Sequence, residues 1–322
     1  MMPRLATKNI PTLAAFAVLI ILYAACAIRY DFFCDYDTFR NILIGASIVG
    51  IAAIGMTFVI ISGGIDLSVG AIIGFTSILI GVLVTSGVHP YLTWAIAIAI
   101  ATLGGACSGA IIHVFKLPPF IVTLGAMFLF RGCALLVSAE SQPIDHRIYD
   151  RLGILGIGNF PPLIILFLTV ALAGWFVSRS TRFGRTTYAI GGRETSARLM
   201  GLPVASTKIR VYALSGACAA IAGIATTMNT PTGYAKAGEF AELDAIAGVV
   251  IGGTPLSGGI GSIPGTVAGV LITSLIQELI IFFGVPNSWW VKIAIGALLL
   301  TFILLQRLIQ SRAERLTQSD RA

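Results

Sequence analysis

The chain has 322 residues, of which 57% are hydrophobic and only 11% charged. A soluble domain carries about 25% charge, so this composition excludes one; the long apolar runs, without period-two alternation, point to membrane-spanning helices and not to a β-barrel. The net charge of +7 reads as a positive-inside bias and not as affinity for nucleic acid, because the basic residues collect at the N-terminus, at 179–210 and in the C-terminal tail.

A bilayer crossing takes roughly 20 mostly apolar residues. The pattern predicts ten segments, near 10–28, 42–61, 69–87, 91–115, 119–138, 161–178, 209–228, 243–253, 265–284 and 289–306, the eighth short and glycine-rich. The first follows Arg4 and Lys8 and contains Ala25-Cys26-Ala27, which imitates a signal-peptide cleavage site. The run is too long for a signal-peptide core and further spans follow, so it is expected to be retained. The loop 29–41 holds Asp31, Asp35 and Asp37, and 229–244 holds Glu239, Glu242 and Asp244. The stretch 179–210 holds Arg179, Arg182, Arg185, Arg193, Arg198, Lys208 and Arg210 against Glu194, and the tail holds Arg307, Arg312, Arg315 and Arg321. Ten crossings with both termini cytoplasmic place each of these on its expected side, with Trp289 and Trp290 as an outer interfacial anchor. Of the five cysteines, only Cys34 falls outside an apolar run, so no disulfide and no metal site is expected.

One stretch interrupts the apolar pattern. Residues 60–70 read IISGGIDLSVG, with two glycines, two serines and a carboxylate between two spans. Gly63, Gly64, Asp66 and Ser68 suit a broken helix whose freed backbone groups line a cavity or pack on protein. Asp66 has two readings: it caps the helix that starts near Leu67 or Ser68, or it touches a translocated solute. The stretch has an echo, since ISGGIDLSVG at 61–70 aligns without gaps to VIGGTPLSGG at 250–259, matching Gly63, Gly64, Leu67, Ser68 and Gly70 to Gly252, Gly253, Leu256, Ser257 and Gly259. Glycine-interrupted segments at corresponding places in two halves mark transport sites, and chance is the competing reading in so glycine-rich a chain. His113, Arg131, Gln277 and Glu278 are further polar residues inside spans, either interhelical contacts or pathway lining. Arg131 is expected to pair with a carboxylate, Asp66 or Glu278, or with backbone carbonyls.

The chain contains no G-x-x-x-x-G-K-[ST] loop, no H-E-x-x-H and no paired-cysteine motif, so no catalytic role and no ATPase activity of its own is expected. The most distinctive polar part is 179–210, in which ETSARLM at 194–200 predicts a short helix ended by Gly201 and Pro203, suited to docking another protein.

SGGIDLSVG, LPPFIVTLGAMFLFRG, TRFGRTTYAIGGRETSARLMGL and IGGTPLSGGIGSIPGTVAGVLI together resemble the ribose-type sugar permeases of bacterial ATP-binding-cassette (ABC) importers, over essentially 10–306. ISGGIDLSVG, ELDAIAGVVIGGT and SWWVKIAIG are most similar to the galactofuranose type within that family. The resemblance implies an all-α, ten-helix permease domain at 10–306 in the bacterial inner membrane, with a cytoplasmic coupling loop at about 179–208 and a cytoplasmic tail at 307–322. It implies three partners: a cytoplasmic ATPase with two nucleotide-binding domains, carrying ATP and Mg; a periplasmic sugar-binding protein; and a second permease subunit, related or identical. By position Glu194, Ser196, Ala197, Arg198, Met200 and Gly201 resemble the segment that contacts the ATPase, although only Ser196, Ala197 and Gly201 follow the importer pattern. Gly63, Gly64, Asp66, Ser68, Gly252, Gly253, Ser257, Gln277 and Glu278 are the candidates for pathway or gate. A branched-chain amino-acid permease of the neighbouring family, a secondary transporter and an integral-membrane enzyme are the rival readings.

Overall fold

The computed structural model describes residues 10–154, 161–283, 289–302 and 304; the tail at 307–322 lies outside the described residues. In chain order the helices are α1 (Ile10–Arg29), α2 (Tyr36–Ile61), α3 (Val69–Thr85), α4 (Pro90–Phe115), α5 (Pro119–Val137) and α6 (Arg147–Ile154). There follow α7 (Pro162–Ser180), α8 (Arg182–Gly192), α9 (Glu194–Leu199), α10 (Val204–Asn229), α11 (Ala241–Ile251) and α12 (Ile263–Phe282), then α13 (Trp289–Phe302). Among the described residues each of the ten predicted apolar segments is mainly helix. Among the described residues α1, α2, α4, α5, α7, α10 and α12 are long and apolar enough to cross a bilayer alone, whereas α3 and α13 are shorter.

Local chemistry explains many of the starts. Pro90, Pro119, Pro162 and Pro264 each sit in the first turn of a helix, where the missing N–H has no intrahelical partner to lose. Starts and ends differ from expectation where polar residues extend a helix: α2 begins at Tyr36 and α10 at Val204, several residues ahead of their apolar runs.

The core is built on α2 and α10. About 78% and 67% of their apolar windows are buried, against 11% for α1 and 17% for α5, so these two are central and α1 and α5 peripheral. The outward residues of α1, α4 and α5, such as Ile20, Leu103 and Leu129, are apolar and suit contact with lipid. Lipid gives helices little hydrophobic reason to associate, so small residues that bring backbones together carry the packing. Gly105 faces the carbonyl of Tyr212, and a Cβ on Gly109 would lie 2.9 Å from the Cα of Ile209. These contacts seat α4 on α10. Gly252 faces Gly265 and Gly269 faces the carbonyl of Gly248, seating α11 on α12 in the same way.

Three features have no counterpart in the sequence reading. Helix α8 is an additional helix ahead of the short one expected at 194–200, which is α9. Helix α6 is a short amphipathic helix between spans and is held by Tyr149, whose hydroxyl meets Thr227 at 3.2 Å and accepts from Trp94 Nε1 at 3.0 Å. A two-residue antiparallel ladder, β1 (Gln142–Pro143) with β2 (Thr232–Gly233), joins the loops after α5 and α10.

Candidate functional site: two glycine breaks and the basic loop

Helix α2 ends in a tight glycine turn. Ser62, Gly63 and Gly64 donate their N–H groups to Phe58, Ile60 and Val59 at 3.0, 2.9 and 3.0 Å, and Gly63 has φ +83°. The bond reaching back five residues and the left-handed glycine satisfy the last carbonyls of the helix. The chain then runs through Asp66 into α3. Asp66 is 1% exposed, and both its oxygens are engaged. Oδ1 accepts from the N–H and the hydroxyl of Ser68 at 3.0 and 2.6 Å, and Oδ2 accepts from the Ser215 hydroxyl at 2.7 Å. The carboxylate therefore fixes a turn at Ser68, the N-cap of α3, and ties the foot of that helix to α10, without itself capping the helix.

The end of α11 repeats this turn bond for bond. Gly252, Gly253 and Thr254 donate to Gly248, Val250 and Val249 at 2.9, 2.9 and 3.2 Å, and Gly253 has φ +92°. The structural register pairs Gly63 with Gly253. The ungapped sequence alignment paired it with Gly252, so the echo is real in the turn geometry but displaced by one residue, and the Leu67/Leu256 and Ser68/Ser257 matches fall out of that register.

Both breaks lie at one end of the bundle and touch. Gly259 N–H donates to the carbonyl of Ile61 at 2.9 Å, and a Cβ on Gly258 would lie 2.8 Å from the nitrogen of Gly63. Ser257 is exposed beside them. Gln277 and Glu278 are elsewhere, one exposed and one half-buried, toward the other end of α12. The rise of a helix puts Gln277 about 21 Å from Ile263, so the structure does not bring this pair to the glycine breaks.

The basic loop packs on the same end. Thr181 caps α8 by accepting from Gly184 N–H at 3.1 Å. At the other end of α8, the Tyr188 hydroxyl donates to the carbonyl of Gly261 at 2.9 Å. Gly191 is pressed on the carbonyl of Ile61, and a Cβ there would lie 2.6 Å from the nitrogen of Gly259. The last turn of α8 thus touches both breaks at once. Tyr188, Gly191 and Gly192 were not singled out in the sequence; the glycine pair in YAIGG, just ahead of ETSARLM, was the available signal.

Helix α9 stands out from this joint. Glu194 is paired with Arg198 at 3.0 Å and Lys208 at 2.7 Å. The Lys208 hydrogen bond outweighs partial burial and holds the Glu194 carboxyl below the usual carboxylate range. Ala197 is buried against Ile190 and Val204, so it seats the helix. Leu199 and Met200 are 90% and 67% exposed, an apolar pair projecting outward at the tip. Gly201 has φ +73°, as its helix-ending position predicted, and the Leu202 N–H closes the turn on Ala197 at 3.1 Å. A cleft of about 410 Å³ between α9 and the α4–α5 turn is lined by Ser62, Gly63, His113, Lys116, Arg198 and Lys208 among others.

Arg131 takes the carbonyl option. Its Nη1 donates to Ala235 O at 2.7 Å and Ala237 O at 3.3 Å. Asp66 is already saturated by serines, so the acid partners named for Arg131 are replaced by backbone. Among the described residues no group of three His, Cys, Asp or Glu side chains is placed to hold a metal ion.

The turn at Gly201 gives a direct test. A β-branched residue in the left-handed region costs about 1–2 kcal/mol, while the space around Gly201 is open. Gly201→Val is expected to leave membrane abundance unchanged and to reduce solute uptake by misdirecting α9. Gly201→Asn, which tolerates that conformation, restores it. Uptake, abundance and co-purification of the ATPase that the resemblance implies are the readouts.

Comparison with known proteins covers most of the chain. A family described as "Branched-chain amino acid transport system / permease component" matches residues 38–303. The chain belongs to this permease family. It is 46% identical over 306 residues to the inner membrane ABC transporter permease protein YjfF of Escherichia coli K12, covering 93% of this chain and 92% of that one. It is 39% identical to the ribose import permease protein RbsC of Bacillus subtilis, covering 92% of each, and 37% identical to the fructose import permease protein FruG of Bifidobacterium longum, covering 96% and 94%. These relatives place the permease in the ribose-type sugar group of the family. No solved structure matches the chain.

Proposed function

We propose that this permease is the membrane subunit of an ABC importer that moves a monosaccharide, galactofuranose or a similar sugar, across the bacterial inner membrane by alternating access. The sugar assignment is supported by relatives whose names specify ribose and fructose import. The coupling mechanism rests on one observation: the last turn of α8 contacts the ends of α2 and of the 254–261 segment together. A cytoplasmic ATPase, which carries the ATP and Mg, presses on the outward Leu199 and Met200. Helix α9 is held to α8 and α10 by Ala197 and by the Glu194 pairs, so it moves α8 with it. Backbone contacts leave α8 no slack against the two breaks, and the displacement passes to α2, α11 and α12. A periplasmic sugar-binding protein delivers solute at the opposite end. A second permease subunit, related or identical, completes the pathway.

The test is reconstitution. The chain with its ATPase, binding protein and permease partner is expected to take up sugar with ATP hydrolysis, and the chain alone to do neither. Leucine uptake by the complete complex would instead establish a branched-chain amino-acid importer, and uptake without the ATPase a secondary transporter. Topology is checked in the same vesicles: a cysteine at Ser196 is expected to be shielded from an impermeant thiol reagent outside, and one at Tyr36 to be labelled. Outside labelling at position 196 would overturn the cytoplasmic placement of α8 and α9.

A further inference from the structure

Between α10 and α11 the chain does not return through the bundle as a helix. From β2 it runs along α3 in successive turns, in which the N–H groups of Ala237, Glu239 and Ala241 donate to the carbonyls of Tyr234, Lys236 and Gly238 at 3.0, 3.2 and 3.0 Å. Gly81 faces Gly233, the Tyr234 N–H donates to Ser77 Oγ at 3.1 Å, Gly74 faces the carbonyls of Ala235 and Ala237, and Gly70 faces that of Gly238. From Gly81 to Gly70 this track is about 16 Å long at 1.5 Å per residue. Helix α11 has only 11 residues, a rise of about 16 Å in a hydrocarbon layer of about 30 Å. The two lengths agree: by length α11 takes up about half of such a layer, and the turn-rich segment beside α3 leads to its start. Arg131 pins the segment through the carbonyls of Ala235 and Ala237.

The segment alternates. Gly233 and Ala235 are buried against α3, while Tyr234 and Lys236 are exposed, as are Glu239 and Phe240 at its foot. The ion pairs among the described residues join Glu194 to Arg198 and Lys208, and Lys292 to Asp244; neither Lys236 nor Glu239 takes part. Non-helical backbone at bilayer depth persists only where protein buries it or water lines it. Charged side chains at that depth face the bundle interior or a water-filled cavity. Two strongly hydrated charges beside an exposed aromatic ring favour water.

We propose that the outward edge of residues 234–240 lines the water-filled path and forms a contact site for the transported monosaccharide. This rests on the importer reading. A sugar offers apolar C–H faces and a ring of hydroxyls. The Tyr234 ring suits the first; Lys236 as donor and Glu239 as acceptor suit the second. The segment lies at the depth where a solute delivered from outside first leaves bulk water.

The test uses the complete transporter in vesicles, cysteine-free except for single cysteines at 234, 236 and 239, with Tyr91 and Leu129 as controls at a helix end and on the lipid-facing side. A charged, impermeant methanethiosulfonate reagent is expected to label 234, 236 and 239 at rates near that of 91, and to leave 129 unlabelled. Free D-ribose, D-fructose or D-galactofuranose at high concentration is expected to slow labelling at 234 and 236 several-fold, while leucine is not. A side chain with a merely structural role shows no sugar protection. Silence at all three positions, which would mean that a second permease subunit covers this face, overturns the proposal. So does labelling that no sugar slows. Sugar uptake by the unsubstituted transporter in the same vesicles is scored separately: its absence overturns the importer reading, whatever the thiols report.

Discussion

Gly191→Val is expected to abolish sugar uptake while the protein stays in the membrane and ATP hydrolysis by the assembled complex continues. Gly191 lies in the last turn of α8, and a side chain there overlaps the carbonyl of Ile61 and crowds the nitrogen of Gly259. Both obstacles are backbone and cannot swing aside as a flexible side chain would. Overpacking of this kind costs about 1–3 kcal/mol. The relief available is for α8 to lift away, which breaks the bonds from Tyr188 to Gly261 and from Gly259 to Ile61, each worth about 0.5–1.5 kcal/mol net. The central packing of α2, α4 and α10 does not involve residue 191, so insertion survives. Gly192→Ala is the control. Nothing lies within 4 Å of a Cβ at that position, and near-normal uptake is expected. Measuring uptake, ATP hydrolysis and abundance for both variants decides the matter. Normal uptake by Gly191→Val would show that α8 is not seated rigidly on the breaks.

Asp66→Ala is expected to lower membrane abundance and the thermal unfolding midpoint in detergent. The substitution removes the acceptor for three hydrogen bonds and leaves the Ser68 N–H and the hydroxyls of Ser68 and Ser215 buried. A buried polar group without a partner costs about 1–3 kcal/mol. The order expected is Asp66→Ala most damaging, then Asp66→Asn, which keeps one oxygen and offers an amide to Ser215. Ser215→Ala, which removes a single donor, is mildest. A carboxylate whose only role was to touch solute would give a different result, with transport lost and the unfolding midpoint unchanged for all three variants.

The spans were readable from the sequence because the requirement behind them is local. Backbone polar groups cannot be left unpaired in hydrocarbon, so a long apolar run has to become a helix wherever it lies in the chain. The same logic located the break at 62–68: glycines, serines and a carboxylate between two such runs end one helix and start another. Gly201 was equally legible, since a glycine after a short polar helix and before Pro203 takes the left-handed turn that other residues avoid. The resemblance of four separated motifs to sugar permeases was confirmed along nearly the whole chain.

Other features were decided at a distance. The partners of Arg131 are carbonyls about a hundred residues along the chain, and charge alone drew attention to acids instead. Helix α8 is held by contacts of its last turn with Ile61, Gly259 and Gly261, none of them near it in sequence. Its inward stripe of Phe183, Thr187 and Ile190 is short and mixed with polar residues and glycine, and does not say which backbone it meets. Ala197 and Leu199 show the same limit: one is buried and the other 90% exposed within a single short helix, and only its seating on Ile190 and Val204 tells them apart.

The sequence by itself determined the number and position of the apolar helices, the place of the breaks and the membership in a sugar-permease family, because each follows from composition and order over a short window. The tertiary structure alone decided that the two breaks meet under α8, that their true register is offset by one residue, and that 233–238 packs along α3 in successive turns. Those outcomes turn on how closely one backbone approaches another. Glycine permits that approach, but its lack of a side chain carries no record of which neighbour comes close.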